Sequence, residues 1–196
     1  MFGRLRKAFL CGVIVAISSV AGPYAHATLI AGSASFSDSG PSGNGLSFMG
    51  AFNPSSNFSF DLTYGTPVIL PNFLTITSND TNNAFWGTTS ATDNIATTFT
   101  FTKPSGGVGS VSGKGAETTT AFLGFIVGAD GTIHWGGPAV VDFGNGLVLD
   151  ILLTDASFDI AAFTADPNQS VGVTALLTLS GDPSTVPEPL AAKSWP

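Results

Sequence analysis

Residues 139–154, AVVDFGNGLVLDILLT, decide the fold. Two alternating apolar runs flank Gly144-Asn145-Gly146, so the stretch reads as a β-hairpin. A two-residue turn at Asn145-Gly146 would put Asp142 on one face with Leu149 and Ile151, burying a carboxylate among hydrocarbon. A three-residue loop with Gly146 left-handed instead gathers Ala139, Val141, Phe143, Leu147, Leu149, Ile151 and Leu153 on one face, because side chains alternate and loop length sets the register. The other face then carries Val140, Asp142, Val148, Asp150, Leu152 and Thr154. A hairpin with one wholly apolar face needs a second apolar layer. The expected fold is all-β: a single-domain antiparallel β-sandwich, jelly-roll-like, over residues 28–181.

Working outward, short alternating segments split by Gly, Pro and Asn continue the pattern. Asn57–Tyr64 sets Phe58, Phe60, Leu62 and Tyr64 on one face. Val68–Thr77 reads as a strand interrupted by Pro71, which points to an edge or a bulge. Ile95–Thr102 alternates through Ile95, Thr97, Phe99 and Phe101. Thr118–Trp135 reads as a second hairpin turning at Ala129-Asp130-Gly131, with Phe125, Val127, Ile133 and Trp135 on one face. Val171–Ser180 is a last strand with Val171, Val173, Ala175, Leu177 and Leu179 inward, and Thr154–Ala165 is strand or a single helical turn. Ser37–Gly45, Ser78–Asn83 and Pro104–Gly115 are Gly, Ser and Asn rich and read as loops.

The first 27 of the 196 residues have the order of a secretory signal peptide. Arg4, Arg6 and Lys7 supply the positive start, Ala8–Val20 is apolar and too short to span a bilayer, and Ala25-His26-Ala27 offers signal peptidase a small-x-small site. Beyond Ala27 there are three lysines and no arginine against all thirteen acids, a formal balance of −10. Nucleic acid and anionic membrane surfaces are disfavoured partners for such a chain. The only cysteine, Cys11, lies in the leader, so the remainder has no disulfide and no thiolate chemistry.

After a polar spacer comes Val186-Pro187-Glu188-Pro189. Together with the leader and the cysteine-free, Gly/Ser/Thr/Asn-rich β domain, this motif resembles the PEP-CTERM family of exported bacterial proteins, whose tails an exosortase processes. The resemblance implies a Gram-negative host that makes exopolysaccharide, and a secreted, cell-surface or biofilm-matrix destination. Residues 182–196 form a Pro-rich tail. After Pro189 only Leu190-Ala191-Ala192-Lys193-Ser194-Trp195-Pro196 follow, without the family's transmembrane helix and basic cluster, so the expectation is a truncated sorting segment and a released protein.

No catalytic residue is expected. The single histidine beyond the leader, His134, is predicted to lie across from Ile126 as an ordinary strand residue, and no Gly-x-Ser-x-Gly elbow exists. Asp142 and Asp150 share the outer face of the main hairpin, each opposite a valine, which leaves a glycan hydrolase using aspartates as an alternative without geometry. The run Ser105–Gly115 lacks the glycine and hydroxyl positions of a phosphate loop. Zinc is disfavoured by one histidine and no cysteine. Calcium stays open through the oxygens of Asn79-Asp80-Thr81-Asn82-Asn83, Asp93-Asn94 and Asp38. For glycan stacking the candidate is Trp86, in the loop Phe85-Trp86-Gly87, whereas Trp135 shares a core face. The functional expectation is a structural protein associated with an exopolysaccharide matrix, or a carbohydrate-binding module supported by calcium.

Overall fold

A computed structural model describes residues 27–40, 45–80, 86–123, 125–144, 146–160 and 169–181. Residues 1–26 of the leader, the 186–189 motif and residues 81–83 of the calcium candidates lie outside them. Eleven strands follow in order: β1 (Ala27–Asp38), β2 (Leu46–Phe52), β3 (Asn57–Thr63), β4 (Val68–Asp80), β5 (Trp86–Lys103), β6 (Val108–Phe122), β7 (Phe125–Trp135), β8 (Ala139–Asp142), β9 (Leu147–Leu153), β10 (Ala156–Ile160) and β11 (Gln169–Gly181). They form two antiparallel sheets, a six-stranded one in the order β10-β7-β6-β5-β1-β3 and a five-stranded one in the order β2-β4-β11-β9-β8. The inner faces of both sheets contribute to one hydrophobic core. The fold is the expected all-β sandwich.

The β8–β9 hairpin has the register its apolar pattern demands. Val141 pairs with Leu149 and Asp142 with Val148, and the Phe143 N–H donates to the Leu147 carbonyl at 2.9 Å. The loop is therefore Gly144 to Gly146, and Gly146 is left-handed at φ 75°. Leu149 and Ile151 are fully buried, while Val140 on the other face is 63% exposed. Alternation also holds in β3, β5 and β11, where Leu62, Phe99, Val173 and Leu179 are buried. Rings close the space between the sheets. Phe73 of β4 stacks on Phe99 of β5 at 6.0 Å, and Phe143 meets Phe101 edge-on at 5.2 Å.

Several expectations are corrected. Ala129-Asp130-Gly131 is not a turn: it lies inside β7, paired with β6 on one side and β10 on the other. The chain reverses between Phe122 and Phe125 instead, after Leu123 at φ 54°. Pro104–Gly115 is mostly not a loop, since β6 begins at Val108. Likewise Ser37 and Asp38 belong to β1, and Ser78 to Asp80 belong to β4. Pro71 marks a bulge, as one of its two readings had it, but β4 is an interior strand. Between the pairs Leu70–Ala175 and Leu74–Val173 the register shifts, with Asn72 at φ 52°. Pro71 needs no ladder partner there because the pairing of β2 ends at Leu74.

A common cause underlies the misplaced turn and the misplaced loop. Glycine signals a turn when read locally, but here it makes room for a ring from elsewhere in the chain. A Cβ on Gly131 would overlap the Phe158 ring, on Gly115 the Phe48 ring, and on Gly107 the Phe143 ring. Gly128, by contrast, has nothing within 4 Å of that position. Gly115→Ala is therefore expected to cost about 1–3 kcal/mol by overpacking against buried Phe48, while Gly128→Ala leaves stability nearly unchanged. Urea denaturation of both variants checks the contrast, and equal midpoints would contradict it.

Candidate functional site

The six-stranded sheet turns its even-numbered β5 and β6 side chains to solvent, and most of these are hydroxyls. Facing pairs touch across the strands: Thr88 with Thr120 at 3.1 Å, Ser90 with Thr118 at 3.0 Å and Thr98 with Ser110 at 3.5 Å. Midway along this face the pattern changes. Register places Asn94 opposite Lys114, and Lys114 opposite His134, and Ser39 joins the row because its N–H donates to the Asn94 carbonyl at 2.8 Å. The adjacent row holds Ala96 opposite Ser112, with Gly136 donating its N–H to the Ser112 carbonyl at 2.8 Å. Long side chains thus border a floor of short ones. The result is an open groove of about 590 Å³ lined by these residues.

His134 does not face Ile126, as expected, but Lys114; the displaced β6–β7 turn accounts for the difference. Its Nδ1 lies 2.9 Å from Asp155 Oδ2, and the Trp135 N–H donates to Asp155 Oδ1 at 2.8 Å. The Trp135 N–H and then His134 hold the Asp155 carboxyl below the usual aspartate range. An ionised carboxylate can only accept, so Nδ1 carries the hydrogen of this contact and Nε2 is the ring's other hydrogen-bonding atom. The side chains of His134 and Asp155 are 66% and 57% exposed, so solvent screens the pair and its main effect is to orient the ring.

A second cavity, of about 330 Å³, opens beside β3 where the bulge of β4 faces it, between Phe58, Phe60, Leu70, Pro71 and Asn53. The Phe58 and Phe60 rings there are nearly parallel, 5.6 Å apart. The side chain of Trp86, the expected glycan contact, lies outside the described residues. Trp86 begins β5 opposite Phe122 and is not in a loop. Trp135 packs against the core as expected.

The aspartates separate by role. Asp142 and Asp150 share the outer face, but each pairs with a valine, and Asp142 Oδ1 accepts the Gly144 N–H at 2.8 Å, which caps the hairpin loop. Asp38 and Asp93, candidates for calcium, do meet: the two side chains hydrogen-bond, and Asp38 Oδ2 also accepts the Phe48 N–H at 2.6 Å. Among the described residues no group of three or more His, Cys, Asp or Glu side chains gathers as a metal site. Asp93 is only 4% exposed, and burial, followed by the hydrogen bond and charge of Asp38, pushes its carboxyl up to about 6.

Lys114 and Ser112 of the groove, and Asp155 beside it, are residues that sequence reasoning missed as site residues, and Asn94 was read only as an oxygen donor for calcium. Lys114 was hidden inside a glycine run read as a loop, and Asp155 meets His134 only through the β7–β10 pairing. No family model, no curated protein and no solved structure matches the chain. Among the described residues no helix is long and apolar enough to cross a membrane.

Asp93 gives a pH prediction. Its folded carboxyl titrates near 6 and its unfolded one near 3.8, so the native state binds more protons between those values. Stability is then greatest below about pH 4 in this group's contribution and falls as pH rises through 6, by an amount on the order of 1–3 kcal/mol. Thermal melts of the chain and of Asp93→Asn from pH 4 to 8 measure this. The variant should lose that slope and melt higher at pH 8; an unchanged slope would contradict the assignment.

Proposed function

We propose that this chain is an exported β-sandwich of the cell surface or extracellular matrix that holds polysaccharide along the outer face of its six-stranded sheet. One observation supports this reading best: the groove bordered by Ser39, Asn94, Lys114 and His134 and floored by Ala96, Ser112 and Gly136. Amide, hydroxyl, ammonium and imidazole groups supply the donors and acceptors that sugar hydroxyls need, and the hydroxyl pairs of β5 and β6 extend the same chemistry along the face. The leader and the Val186-Pro187-Glu188-Pro189 motif support export and a likeness to PEP-CTERM cargo. Binding without bond cleavage is the activity proposed, since Asp142 caps a loop and Asp150 faces a valine. Calcium would be an accessory at the Asp38–Asp93 carboxyls.

Affinity electrophoresis in gels cast with xanthan, alginate or dextran tests the reading, with calcium and with chelator. At least one polymer should retard the chain without being shortened, and Ser112→Trp, which fills the floor of the groove from an exposed position, should abolish retardation while leaving the melting temperature within about 2 °C, as surface substitutions do. Shortened polymer, or retardation untouched by Ser112→Trp, would contradict it.

A further inference from the structure

The geometry points to the groove as a subsite for a uronic acid unit, with Lys114 taking the sugar carboxylate while Asn94 and His134 take ring hydroxyls; this rests on the polysaccharide reading above. The chain is strongly acidic, with formal net charge −7 overall, so cationic side chains are scarce, and their placement carries information. Among the described residues Lys103 and Lys114 are the only lysines or arginines, and His134 is the only histidine. Lys103 ends β5, away from the groove, whereas Lys114 and His134 are cross-strand neighbours inside it. Cross-strand neighbours stand about 5 Å apart, so the row Asn94, Lys114, His134 spans about 10 Å, and one sugar unit can touch all of them.

The three groups offer different chemistry at fixed places. Lys114 is exposed and forms no ion pair among the described residues. Its ammonium has three donors and no acceptor, which suits a carboxylate. His134 is already committed through Nδ1 to Asp155, and Asp155 is itself fixed by the Trp135 N–H. The Nε2 atom of the ring is left to hydrogen-bond a sugar hydroxyl. Asn94 can donate and accept, and Ser39 stands beside it. Short Ala96, Ser112 and Gly136 leave the space a pyranose ring would occupy. Asp155 is therefore a positioning residue acting through His134, and Lys114 is the residue that selects for charge.

Alginate hexamers and the same hexamers with their carboxylates reduced to alcohols separate the possibilities, with binding followed by calorimetry on the whole chain. The carboxylate form should bind more tightly by about tenfold or more, the size of one lost charge-assisted hydrogen bond. Lys114→Met should remove that preference, so that the carboxylate form binds no more tightly than the reduced form. Lys103→Met should keep the preference, and Asp155→Asn should weaken both forms alike. Equal binding of the two forms by the native chain would overturn the uronate assignment while leaving the polysaccharide reading intact. A loss with Lys103→Met as large as with Lys114→Met would reduce the preference to general charge and overturn the subsite. Binding of neither form would overturn the subsite; failure with neutral dextran and with anionic xanthan as well would overturn the polysaccharide reading.

Discussion

Glycine facing a bulky side chain is the contact on which the rest of this structure depends. Gly107 and Gly109 of the β5–β6 hairpin leave space taken by Phe143 and Val141 from the β8–β9 hairpin, Gly115 leaves space for Phe48, and Gly131 for Phe158. Gly131 and Phe158 are cross-strand neighbours within one sheet, while the other contacts join two packed sheets about 10 Å apart, where interdigitation requires small residues opposite large ones. The same contacts fix the side on which each β6 residue lies. Because the odd positions Gly109, Val111 and Gly115 face the core, the even positions Ser110, Ser112 and Lys114 must face solvent. A slip of one residue would turn the Lys114 ammonium into hydrocarbon, which sets a high barrier against any other register. The core thus determines the groove.

Legibility in the sequence followed the range of the interactions involved. The β8–β9 hairpin could be read to the residue because its information is local: one misplaced loop residue would have buried Asp142. The alternation of Asn57–Tyr64 and Val171–Ser180 was equally local. The β5–β6–β7 region was not, since the residues that explain Gly115 and Gly131 lie at Phe48 and Phe158, far away in sequence. Read without those partners, glycine runs become turns, and with them the cross-strand row of Asn94, Lys114 and His134 disappears. Asp155 was not legible as the partner of His134, because the β7–β10 pairing that joins them crosses two other strands in sequence. Asp38 and Asp93 were both noted as oxygen donors, yet only the β1–β5 pairing brings them together.

The groove and the buried acid pair are mechanically adjacent. Ser39 follows Asp38 and Asn94 follows Asp93, so the outer corner of the groove rests on the inner carboxyls. Burial and the neighbouring Asp38 keep the Asp93 carboxyl protonated up to about pH 6, so charge appears beneath that corner only above it. The groove is thus framed by fixed elements: a ladder below, an oriented imidazole at one end and an acid pair at the other. Such preorganisation lowers the cost of ordering side chains around any ligand bound there. It also explains how a chain with few charges can offer a defined polar site.

A backbone and side-chain NMR titration of the chain with alginate hexamer locates the binding surface. Shifts should concentrate at Asn94, Ser112, Lys114, His134 and Asp155 on the six-stranded sheet. Shifts confined to the Phe58–Phe60 cleft or to the outer face of the five-stranded sheet, with the groove residues unmoved, would contradict that placement.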